Sequence, residues 1–161
     1  MKTTHLLFAA MGLSMACFGG PAVEIDETPE IPAERWQGSI TSPPNLAGAV
    51  QMNGTAWMAR GDATNETRVH IELDNAAPGG THPWEVQRGR CGADGDLFGS
   101  SDHYEPIEID DDGQAELTTE IPMSLPRDGE YSIEVLASPA NRDLVVACAN
   151  LAPPVQRGDF R

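Results

Sequence analysis

From Ala49 onward the chain is a succession of short runs in which apolar and polar residues alternate, interrupted by Gly, Asp, Asn and Pro. A period of two sends successive side chains to opposite faces of an extended backbone, so such a chain folds by burying one face of each run. The spacing predicts strands over 49–60, 66–76, 82–88, 104–110, 114–121, 130–138 and 143–149, and no segment carries a convincing amphipathic helical repeat. The alternation is clearest at Val69, Ile71 and Leu73 and at Tyr131, Ile133, Val135 and Ala137, which are expected to face the core. Turn residues fall between the runs at Gly61-Asp62, Ala77-Pro78-Gly79-Gly80, Asp112-Gly113 and Asp128-Gly129. The fold class is therefore all-β, a sandwich or a barrel. The acids Asp110, Asp111 and Asp112 supply too few spaced oxygens for a calcium loop and are read as part of a tight turn.

The residues before Ala49 have a different character. An apolar run from Leu6 to Ala16 follows the single Lys2 and ends in the small residues Ser14 and Ala16 before Cys17, the pattern of an export signal over 1–16. Cys17 stands where a bacterial lipoprotein carries its acylated cysteine. Leu13 lies four places before it rather than three, so simple secretion to the periplasm or medium is the alternative. The apolar run is too short to cross a bilayer. Residues 17–47 are rich in Pro, Gly and acids without sustained periodicity, and are expected to form a disordered tether. Trp36 within it is read as an isolated aromatic, with docking back onto the domain as the alternative. The organisation expected is thus a signal at 1–16, a lipid-anchored tether at 17–47, a β domain at 48–152 and a tail at 153–161.

Three cysteines occur in the chain. If Cys17 is the anchor, Cys91 and Cys148 remain as an even pair, and an oxidising compartment would join them. The formal net charge of −15 excludes nucleic acid as a partner, because counterion release needs clustered cations and none are clustered here. The membrane contact expected is the lipid at Cys17. Nucleophile elbows, His-Glu-x-x-His motifs and phosphate-binding glycine loops do not occur.

The order of segments is informative: Gly-Gly-Thr-His-Pro-Trp at 79–84, Gly89-Arg90-Cys91, Tyr104-Glu105-Pro106-Ile107, Asp112-Gly113, the run Tyr131–Ser138, and Val145-Val146-Ala147-Cys148. Over residues 48–151 this order resembles the superoxide dismutase-like domains of bacterial secreted proteins and lipoproteins, related to the Cu/Zn superoxide dismutases. The resemblance implies a Greek-key β-sandwich and supports the Cys91–Cys148 pairing. Metal-binding members look like His-x-His before the Gly-x-Cys and Val-His-Ala-Ser on the later strand; here Glu85, Gln87 and Leu136 stand at those positions. A carboxylate is a harder donor than imidazole, an amide is a poor one and leucine donates nothing, so the copper position is expected to be degenerate. A copper–zinc pair also needs roughly six imidazoles, and beyond the signal only His70, His82 and His103 remain.

The function expected is a non-catalytic, envelope-tethered domain without a cofactor, in a binding or structural role toward a protein or small molecule. The alternative is a periplasmic copper- or zinc-binding protein or dismutase-type metalloenzyme. Its reduced site would use His82 and Glu85 with His70 or His103.

Overall fold

The structure, a computed structural model, describes residues 34–46, 48 and 51–154. Among these residues nine strands form: β1 Arg35–Thr41, β2 Asn53–Arg60, β3 Thr67–Asp74, β4 Thr81–His82, β5 Trp84–Arg88, β6 Ile107–Glu108, β7 Ala115–Ile121, β8 Tyr131–Ser138 and β9 Asn141–Leu151. Seven make one antiparallel sheet in the order β5-β8-β9-β1-β2-β3-β7, and β4 pairs with β6 in a two-stranded ribbon. The run expected at 82–88 is divided at Pro83, which lacks the N–H a ladder needs. His82 consequently belongs to the ribbon and Trp84 to the large sheet.

Each inward face follows the period of two. Val69, Ile71 and Leu73 of β3 and Ile133 and Val135 of β8 are buried, as their alternation requires. They share one core cluster with Trp84 and Val86 from one edge strand and Ile121 from the other, so the sheet curls around a common interior. Tyr131 sits at the junction, its ring meeting Trp36 at 5.1 Å and Phe98 at 5.7 Å, both edge-to-face. The outer edge of β5 does not face water as a bare ladder. The Arg88 N–H donates to Asp96 O and the Phe98 N–H to Val86 O, at 2.9 and 2.8 Å.

One expected boundary is corrected. The segment 17–47 was expected to be a tether throughout, but its residues 35–41 are strand β1, inside the large sheet between β9 and β2. Trp36 is fully buried and its indole N–H donates to Pro126 O at 2.8 Å. The strand reads RWQGSIT, with only Trp36, Gly38 and Ile40 facing inward, so two large apolar residues carry its whole burial signal. Seven register partners on β2 supply what that short pattern does not advertise. Gly38 is needed at the crossing with β9, since a Cβ there would collide with Asn150 O. The expected signal 1–16, Cys17 and residues 155–161 lie outside the described residues.

The acidic turn behaves as expected. Asp110 Oδ1 accepts from the Asp112 and Gln114 N–H groups at 2.9 and 2.8 Å, so this carboxylate closes the turn into β7.

Candidate functional site

Antiparallel register places Glu85 of β5 opposite Glu134 of β8, and Glu134 opposite Cys148 of β9, which in turn faces Thr41 of β1. Directly opposed residues share a face, so Glu85, Glu134, Cys148 and Thr41 form one row across four strands, outside the core cluster. An ordinary antiparallel sheet would leave such a row in water. Here the loop after β5 folds over the middle of the row, Glu134 and Cys148, and leaves Glu85 half-buried and Thr41 exposed. The Cys91 N–H donates to Asn150 Oδ1 at 2.8 Å and the Gly92 N–H to Glu134 Oε1 at 3.2 Å.

The disulfide fastens this cover. Cys91 and Cys148 are bonded, with S–S 2.03 Å and Cα–Cα 6.0 Å, across 57 residues of sequence. Glu134 is left only 5 % exposed, with Oε1 4.0 Å from Cys148 Sγ. A disulfide sulfur has no proton to donate, so this is a contact and not a hydrogen bond. Burial pushes the Glu134 carboxyl above its ordinary value. The Gly92 N–H pulls the other way, and the negative charge of Glu85 adds to the rise. Beside the cover lies a groove of about 350 Å³, lined by Thr41, Pro43, Cys91, Gly92, Cys148 and Asn150.

The three positions expected to be degenerate are spread along the β5–β8 pair: Gln87 faces Ser132, Glu85 faces Glu134, and Leu136 lies level with Pro83 on the far side of Glu134 from Gln87. Glu85 and Gln87 are two apart on β5, and Gln87 Nε2 donates to Glu85 Oε1 at 2.9 Å, so each side chain occupies the other. Leu136 follows Glu134 by two residues, and its N–H donates to Pro83 O at 2.7 Å. All three were expected to lie on outward faces. Leu136 is outside the core cluster yet only 2 % exposed; the register of β8 against β9 shifts on either side of it, and its backbone is held by Pro83 and His82.

The expected alternative ligands sit apart in role. His70 of β3 is buried on the outer face, stacked on Trp57 with centroids 4.9 Å apart. Its Nδ1 meets Thr118 Oγ1 at 2.9 Å and its Nε2 meets Glu72 Oε1 at 3.3 Å. The bond to His70, and then that from Thr55, holds the Glu72 carboxyl below its ordinary value. His103 ends a short 3-10 turn, Ser101–His103. His82 is 9 % exposed and its Nδ1 lies 2.9 Å from Leu136 O. A carbonyl only accepts, so Nδ1 carries a proton. The Nε2 of His82 is buried without a hydrogen-bond partner. Gly80 packs beside it, and a Cβ there would come within 3.0 Å. Among the described residues no three His, Cys, Asp or Glu side chains are grouped so as to hold a metal ion. His82, Glu85, His70 and His103 are therefore not brought together as a ligand set.

Glu134 was missed from the sequence. It alternates with Ile133 and Val135 and so reads as an ordinary outward acid. Only the register that sets it against Cys148 marks it, and register is not visible in one strand. No protein-family model matches the chain, and no curated protein matches it either.

Proposed function

We propose that the chain is a non-catalytic, envelope-tethered domain with a superoxide dismutase-like Greek-key β-sandwich, acting through binding or as a structural module and exported with a lipid anchor at Cys17. The observation that carries the reading is the use made of the former ligand positions. Glu85 and Gln87 bond to each other, and Leu136 contributes an apolar side chain that is almost wholly covered. A group already satisfied by its neighbour is poorly placed to donate to a metal, and Leu136 has no donor at all. The Greek-key assignment is supported by the strand order. β3 lies near one end of the sheet and β5 at the other, so the chain between them makes the long return such a motif contains.

The alternative, a periplasmic copper- or zinc-binding protein with a reduced site, is favoured by one observation, the unpartnered Nε2 of His82. Metal content separates the two readings. The purified protein, loaded with copper or zinc and dialysed against a weak chelator, is expected to retain neither. Retention of stoichiometric metal overturns the proposal. The double variant Glu85→His, Gln87→His is expected to acquire copper affinity that the parent lacks; an unchanged affinity would place the former metal site elsewhere.

A further inference from the structure

We propose that Cys91–Cys148 is a thiol–disulfide exchange site, in which an incoming thiolate attacks Cys91 and Glu134 supplies the proton taken up by Cys148. Three features of the geometry point the same way. The two cysteines both line the groove but differ in exposure, Cys91 being partly exposed and Cys148 only 8 % exposed. The groove, about 350 Å³, is large enough for a small thiol or a peptide cysteine beside Cys91. The carboxyl of Glu134 lies 4.0 Å from the sulfur that must leave.

The exchange balances as follows. The thiolate of a dithiol forms a bond to Cys91 Sγ and the Sγ–Sγ bond breaks. Its electron pair passes to Cys148 Sγ, which takes the Glu134 proton and becomes a thiol. The second thiol of the reagent then gives up its proton and attacks the reagent's own sulfur in the mixed disulfide; the bond to Cys91 Sγ breaks, and Cys91 leaves as a thiolate that takes up that proton. Two electrons move from the dithiol, which ends as a disulfide, to the protein, which ends as two thiols. The groups facing Glu134 are Glu85 from β5, the Gly92 N–H from the cover and Cys148 from β9. None is a cation that would hold the carboxylate ionised, and burial raises its proton affinity. A purely structural disulfide would need no acid at its less exposed cysteine.

The test treats the oxidised full chain with dithiothreitol at pH 6 to 8 without denaturant, traps thiols by alkylation and quantifies the Cys91 and Cys148 peptides. Reduction is expected while the far-ultraviolet signal of the fold persists, and Glu134→Gln is expected to slow it at least about tenfold at pH 6, with a smaller effect at pH 8. The wild type exposed to glutathione is expected to carry it on Cys91, which reads the direction of attack without any variant. Cleavage only after denaturation, glutathione on Cys148, or a Glu134→Gln rate profile matching the wild type would each overturn the proposal.

Discussion

The outer faces of the two halves of the sheet are built from the same alternation and end differently. On β2, β3 and β7 the outward residues Trp57, His70, Thr118 and Glu72 satisfy one another within a single layer. Arg68 likewise pairs with Asp62 and Glu120, which hold its guanidinium above its ordinary proton affinity. On β8 and β9 the outward residues Glu134 and Cys148 lie under a second layer fastened by the disulfide, and Glu85 of β5 beside them is half-buried. Polarity of an outward position therefore does not imply solvation. What decides it is whether a neighbouring loop has a covalent or hydrogen-bonded reason to lie down.

The largest effect expected concerns the core both halves share. Trp36→Ala should cost roughly 3–5 kcal/mol, the usual range for truncating a buried large aromatic, measured by urea unfolding. A loss under about 1 kcal/mol would return β1 to the status of a dispensable tether. Next is the fastening itself. The double variant Cys91→Ser, Cys148→Ser should lose about 4 kcal/mol, from closing a loop of this length in the chain-entropy account. The loss should fall on the covered half first, seen as faster amide exchange at Gly92 than at β3.

On the other half, His70→Ala should cost about 1 kcal/mol through the lost stacking on Trp57, and should leave exchange at Gly92 unaltered. Were Gly92 to exchange faster in that variant, the two faces would not be independent. The smallest effect is one of sign. Glu134 has its folded proton affinity raised, so the folded state binds more protons than the unfolded one above the ordinary Glu range. Its contribution is fully favourable below that range and is lost as pH rises through the folded value. Glu134→Gln, which keeps an acceptor for the Gly92 N–H, should therefore be more stable than wild type at pH 7 by a margin that shrinks toward pH 4. A margin that grows on acidification would mean that Glu134 is stabilised as the anion.

What the sequence by itself determined is the set of elements governed by local rules. The all-β class, the inward faces of β3 and β8 and the Asp110 turn follow from period two and from short-range turn chemistry. The pairing of Cys91 with Cys148 was also within reach, because only one pair remained once Cys17 was set aside. The tertiary structure alone decided the rest. β1 is a strand because β2 offers it a full register, not because RWQGSIT announces one. Glu134 became a buried acid through a cross-strand neighbour 14 residues away and a loop 42 residues away. Sequence patterns report which face a side chain takes; whether that face meets water depends on long-range pairing, which costs chain entropy to form and leaves no local periodicity behind.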